Sequence, residues 1–136
     1  MTTEKKNSIL ESIETRIKQY ETSIETAKQE MFEAYSLNWA SCSVEIEHYK
    51  VMLEFMDEMK LAVNDCANDE VLVAHLENRI NILSRRLLTD KIARTGSTNF
   101  GWVITMVQHN AKVELLRILC TFLGKTPAHL HISIVP

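Results

Sequence analysis

The sequence is most informative at Asn99-Phe100-Gly101-Trp102-Val103-Ile104-Thr105-Met106-Val107. This stretch follows Ser97 and Thr98, whose hydroxyl groups favour the start of a helix, and it is apolar on almost every side. A helix without a polar face belongs inside a protein, surrounded by other helices. We therefore predict an all-α fold in which a central buried hydrophobic helix begins here.

The segment before this stretch supplies the surrounding helices. Over residues 8–35, apolar residues recur in steps of three and four among charged ones, which predicts a long amphipathic helix with one narrow apolar seam. A second helix follows a break near Asn38, and its wider apolar stripe indicates contacts on more than one side. A third helix, capped by Asn68 or Asp69, is expected to run to about Arg94.

The segment after the central stretch continues the helical pattern. Apolar positions resume at Val113 and stop at Gly124, and the pattern leaves open whether residues 108–112 are a kink, a turn or continuous helix. Residues 129–135 alternate polar and apolar, which predicts a short extended C-terminal tail, draped over the core or paired with a partner chain. With 136 residues and only three Gly and two Pro, we expect one helical domain spanning 1–136.

Composition excludes several classes of protein. A net charge of -3 and a pI near 5.9 give no electrostatic footprint for nucleic acid. The three cysteines, Cys42, Cys66 and Cys120, are odd in number and widely spaced, which favours a reducing intracellular setting. No stretch reaches the roughly 18 apolar residues that would span a bilayer. We expect a soluble, cytoplasmic protein without a membrane anchor.

Motifs for chemistry are weak throughout the chain. His129 and His131 have a spacing compatible with two metal ligands, but a solvent-facing alternation without metal is the expected state. The turn 96–101, with basic residues before it, would suit an anion at a helix N-terminus, yet it lacks the Gly-Lys-Ser/Thr ending of a phosphate-binding loop. No nucleophile, acid, base or metal constellation emerges, so we expect no enzyme and no cofactor.

Residues 92–107 resemble the first homology motif of the Bcl-2 family of apoptosis regulators. In that family an amphipathic helix ends with Arg-Asp-Gly, and Asn-Trp-Gly-Arg then opens the central buried helix. The matching positions are Arg94, Gly96, Asn99 and Gly101, with Phe100 in place of the family's Trp. The turn is one residue longer than usual, and Trp102 stands where the family has the Arg that pairs with a bound ligand helix.

The resemblance implies a Bcl-2-like helical bundle with an apolar groove that receives the amphipathic death-motif helix of a pro-apoptotic protein. Carried over by position, the groove would include Met59, Val63, Leu88, Ile92, Arg94, Asn99, Phe100, Gly101, Trp102, Ile104 and Thr105. The implied function is inhibition of apoptosis by sequestration of that helix. Compact members without an anchor resemble viral homologues, which implies action in the host cytosol, with recruitment to mitochondria through partners.

Two other readings of the sequence stay open. The seam of residues 10–34 also suits a coiled-coil or helical oligomer, including a homodimer, that serves as an adaptor or as an inhibitor of another protein assembly. A binder of small ligands or nucleotides would use the turn 94–101 instead.

Overall fold

The computed structural model of the protein describes residues 2–33, 39–89 and 100–124. Within these ranges the helices are α1 (Glu4–Glu33), α2 (Trp39–Asn64), α3 (Asp69–Thr89) and α4 (Phe100–Phe122). No strand occurs in the same ranges, so this part of the chain is a four-helix bundle, which confirms the predicted all-α class. The predicted break near residue 38, the end of the third helix at residue 94 and the extended tail lie outside the described residues.

The amphipathic seam of α1 is used within the bundle. Ile13, Tyr20, Ile24 and Ala27 recur at the predicted spacing and are all buried. Their partners are mainly on α2, which packs along α1. The two helices are antiparallel, because the end of α1 contacts the start of α2 through Glu30 and Cys42, while Glu14 pairs with Lys60 near the end of α2. The seam therefore stabilises the hairpin that α1 and α2 form within one chain.

The core lies where α2, α3 and α4 meet α1. Its fully buried side chains come from all four helices and belong to one cluster, whose members include Ile13, Met52, Met56, Leu72, Leu76 and Leu119. Long unbranched Met side chains suit irregular gaps in a core between helices. None of the described helices combines the length and the apolarity needed to cross a membrane.

Helix α4 is continuous through residues 108–112, which resolves the alternatives left by the pattern. Its burial differs from the prediction. The most buried part is the second half, where Leu116 and Leu119 are almost inaccessible, whereas Ile104 in the first half is 42% exposed and Thr105 is exposed as well. The expectation that the stretch ending at Val107 is enclosed on all sides is wrong for these two residues.

The position of the neighbouring helices explains this correction. Around Lys112, Leu115 and Leu119, α4 lies between residues of α2 and residues of α3. Around Val103 and Ile104, the described residues beside α4 come from α1 and α2. An apolar sequence allows burial on any side, but burial requires a neighbour, and neighbours are set by tertiary packing.

One end of the bundle is closed by polar contacts that we call the clasp (Thr2, Lys6, Asn64, Cys66 and Asp69). The Asp69 carboxylate accepts hydrogen bonds from the Lys6 backbone N–H at 2.9 Å and from the Thr2 hydroxyl at 2.6 Å. The Lys6 ammonium donates to the carbonyls of Asn64 and Cys66, at 3.1 and 2.7 Å. These contacts provide hydrogen-bond partners for backbone N–H groups at the N-terminus of α1 and for backbone carbonyls at the C-terminus of α2.

Candidate functional site

An apolar groove runs between the first half of α2 and the first half of α4, at the end of the bundle opposite the clasp. We call it the α2–α4 groove, and its volume is about 550 Å³. Helix α1 contributes one residue at its end, and the other walls come from α2 and α4. The lining residues are Met31, Ala40, Ser43, Val44, Ile46, Glu47, Val51, Val103, Ile104, Val107 and Gln108.

The groove follows from the register of its two walls. On α2, Val44 and Val51 are seven residues apart and so lie on one face, about 10 Å from each other along the helix axis. On α4, Val103 and Val107 are four residues apart and face them. Polar groups occur mainly at the rim, where Glu47 and Gln108 lie. A cleft with apolar walls and a polar rim is suited to hold apolar side chains of another molecule.

The sequence-predicted groove residues divide into three sets in the structure. Ile104 lines the groove, and Thr105 is its exposed neighbour on α4. Met59 and Val63 are both 0% exposed and lie in the core, so they contact other core residues in this conformation. The remaining seven predicted residues lie outside what the structure describes: Leu88, Ile92, Arg94, Asn99, Phe100, Gly101 and Trp102. Leu88 belongs to the last turn of α3, and residues 100–102 begin α4, but their side chains are not described. The other three fall within residues 90–99, which are not described either.

The sequence prediction missed the α2 wall of the groove. Val44, Glu47 and Val51 lie on the side of α2 that faces α4. The signal was present in the sequence, because Val51 belongs to the residues that make the apolar stripe of this helix wide. A wide stripe indicates that the helix packs in two directions, and one of these directions is toward α4 across the groove.

A polar cluster connects three helices beside the groove. Glu114 of α4 accepts a hydrogen bond from the Tyr20 hydroxyl of α1 at 3.1 Å, and its other oxygen lies 2.6 Å from Nε2 of His48 on α2. The ring of Tyr49 packs against both partners, with centroids 5.8 Å from Tyr20 and 5.5 Å from His48. We call these four residues the Glu114 cluster.

The electrostatics of the Glu114 cluster follow from partial burial. The hydrogen bond with His48 lowers the pKa of Glu114 below its usual value, against the opposing effect of desolvation. Burial, followed by the nearby Glu114 carboxylate, raises the pKa of Tyr20 to about 12. Both shifts keep Glu114 ionised and Tyr20 protonated near neutral pH, so the hydroxyl remains a donor to the carboxylate. This arrangement holds three helices in register.

Metal-binding groups do not cluster in the described residues. No set of three or more His, Cys, Asp or Glu side chains there is arranged to hold a metal ion. The three cysteine thiols are buried and form no disulfide with one another. His129 and His131 lie outside the described residues.

Comparison with known proteins identifies no relative of this chain. No family model matches the chain, and no curated protein or solved structure matches it either.

Proposed function

We propose that this chain is a protein-binding module whose α2–α4 groove receives one face of a partner's amphipathic helix. The observation that carries the proposal is the groove itself, in which apolar side chains of two helices line an accessible cleft of about 550 Å³. Ile104 is 42% exposed at its edge. Apolar side chains beside an open cleft favour binding, because covering them removes apolar area from water.

The dimensions of the groove suit a helix rather than a single side chain. Its lining runs along α2 from Ala40 to Val51, and these eleven steps correspond to about 16 Å of helix axis. A ligand helix lying along this length passes about three turns over it and directs residues at i, i+3 or i+4, and i+7 into the cleft. Three or four apolar anchors are therefore expected on the partner.

The partner class that we propose is the amphipathic death-motif helix of pro-apoptotic proteins, which the chain would sequester as a Bcl-2-like inhibitor of apoptosis. The support is the sequence resemblance at residues 92–107 together with the position of Ile104 in the groove. Trp102 replaces the arginine that in that family pairs with the ligand's aspartate. A lost charge-assisted contact of this kind weakens binding by about 1.5–3 kcal/mol, so a narrow choice of partners is expected.

Isothermal titration of the full chain against a panel of death-motif peptides tests this proposal. The groove variant is Ile104→Glu, and the matched control is Val71→Glu, because Val71 is 48% exposed on α3 and does not line the groove. Circular dichroism of both variants verifies that the helices are intact. The proposal is supported if Ile104→Glu abolishes binding and Val71→Glu retains it. Absence of heat with every peptide would exclude the death-motif helix as the partner. Equal binding by both variants would exclude the α2–α4 groove as the binding site.

A homo-oligomeric adaptor is the second candidate function, and one observation favours it. Phe32 near the end of α1 is 84% exposed and Leu61 near the end of α2 is 69% exposed. Large apolar side chains at opposite ends of a hairpin are suited to contacts between copies. Sedimentation velocity at several concentrations, with Phe32→Ser as the variant, tests this function. A chain that stays monomeric at all concentrations would exclude it.

A further inference from the structure

A second groove lies between α3 and the second half of α4, and we call it the α3–α4 groove. Its volume is about 300 Å³, and α2 contributes Phe55 to its wall. Leu115 and Leu119 of α4 form a floor that is itself almost fully buried. On the α3 side, Ile82 is 45% exposed, which leaves an apolar side chain at the rim.

Positive charge is concentrated around this groove. Arg79 and Arg86 of α3 and Lys112 of α4 line it, and the one acidic lining residue is Glu58, which accepts a hydrogen bond from Arg79 at 3.1 Å. Counted over the lining residues alone, three cations and one anion give a formal charge of +2, whereas the whole chain carries -3. Arg86 and Lys112 also make interactions within the chain. In the sequence, Arg79, Arg85 and Arg86 lie between Glu77 and Asp90. The positive formal charge is therefore that of the residues that line the groove.

The order of charged and apolar residues on α3 repeats at helical spacing. Arg79, Ile82, Leu83 and Arg86 occupy positions i, i+3, i+4 and i+7, so they share one face of the helix. The two arginines are about 10 Å apart along the axis, with the apolar pair between them. A surface of this kind is complementary to a helix with the same spacing and the opposite charge.

We propose that the α3–α4 groove is a docking surface for an acidic amphipathic helix of a partner protein. The partner presents two apolar side chains to Ile82 and Leu83, and it presents carboxylates one on each side, seven residues apart, to Arg79 and Arg86. Because the pattern reads the same in both directions, it admits either orientation of the partner. Lys112 on the opposite wall adds attraction for a third carboxylate. This surface is separate from the α2–α4 groove and is independent of the function proposed there.

The test uses the full chain and a designed helical peptide of about 16 residues, four to five turns long. The peptide carries two adjacent leucines at its centre and a glutamate three residues before and after them; a matched peptide carries lysine at both glutamate positions. Binding is measured by fluorescence anisotropy at low and high salt, and the contact surface is mapped from backbone amide chemical shifts. We expect shifts along α3 after Arg79 and along α4 from Lys112 to Leu119.

Arg86→Glu and Arg85→Glu form the variant pair, because both residues are exposed neighbours on α3 and only Arg86 lines the groove. We expect Arg86→Glu to weaken the acidic peptide by about tenfold, and Arg85→Glu by about twofold at most. Ile82→Ser, a change at an exposed position, is the uncharged check and is also expected to weaken binding. Circular dichroism verifies that each variant is folded.

Specific results would overturn the proposal. Equal loss in the two arginine variants would show diffuse charge attraction, and equal binding of the lysine peptide would show apolar adhesion alone. Chemical shifts confined to Val103 and Ile104 would place the peptide in the other groove. Absence of peptide binding at about 1 mM, the upper end of weak affinities, would also refute the proposal. So would a chain that does not bind the peptide but binds RNA or anionic vesicles in a way that Arg86→Glu abolishes.

Discussion

Replacing Glu114 with alanine is expected to destabilise the bundle by removing a carboxylate that joins α1, α2 and α4. The Tyr20 hydroxyl loses an acceptor at 3.1 Å, and His48 Nε2 loses one at 2.6 Å. Each hydrogen bond contributes about 0.5–1.5 kcal/mol, and more where the acceptor is charged. The Glu114 side chain is 33% exposed and that of His48 is 23% exposed, so water replaces part of the loss.

The expected loss is therefore about 2 kcal/mol for Glu114→Ala. In a domain of this size that corresponds to a fall in Tm of about 6–8 °C. Glu114→Gln retains the shape and one acceptor oxygen but lacks the charge, so its loss is expected to be about half as large.

The effect also has a pH dependence whose sign follows from the pKa of Glu114. Because that pKa is lower in the folded state than the ordinary glutamate value of 4.5, the ionised carboxylate stabilises the fold above about pH 4.5. The stabilisation is lost as the pH falls through the folded-state value. Wild type and Glu114→Gln should therefore differ most near neutral pH and converge in acid.

Urea unfolding followed by circular dichroism at pH 7, 5 and 3.5 measures both effects, with Glu21→Ala at an exposed position of α1 as the control. A loss below about 0.5 kcal/mol at pH 7, the range of ordinary surface changes, would refute the structural role of the cluster. So would a difference between wild type and Glu114→Gln that stays constant from pH 7 to 3.5.

Three further predictions test other parts of the structure. Leu119→Ala at a fully buried position should cost about 2–5 kcal/mol, whereas Leu61→Ala at a 69% exposed position should stay within about 0.5 kcal/mol in the same urea assay. Asp69→Ala should speed hydrogen exchange at the Lys6 amide, since the carboxylate accepts from that N–H, and unchanged exchange would contradict the clasp. In an absorbance titration near 295 nm, the difference between wild type and Tyr20→Phe should isolate the ionisation of Tyr20, with a pKa of about 12, and a difference curve centred near 10 would contradict its burial against Glu114.

Helix positions were the most predictable part of the fold. The seam of α1 repeats over several turns, and periodicity of this length directly reports which face is buried. The cap of α3 was also readable, because Asn68 has a side chain that accepts from a backbone N–H three residues later, and it does so from Val71 at 3.0 Å. Local chemistry of this kind is contained in a few adjacent residues.

Contacts between distant segments were less predictable. Asp69 was an alternative cap for its own helix, yet its carboxylate accepts from the amides of Lys5 and Lys6, more than sixty residues earlier in the chain. The exposure of Ile104 likewise depends on which helices lie beside α4. The sequence indicates that a carboxylate needs hydrogen-bond donors and that an apolar side chain favours burial. Which residues lie beside them is determined only by tertiary packing.

The uneven burial of α4 has a mechanical consequence. Leu116 and Leu119 anchor its second half in the core, while Ile104 near its start lies at the surface and lines the α2–α4 groove. Fifteen residues separate Ile104 from Leu119, a lever arm of about 22 Å. A tilt of about 5° around the anchored half therefore displaces Ile104 by about 2 Å. A partner that tilts α4 by this amount would change the width of the α2–α4 groove, and the groove would then accept larger or smaller side chains.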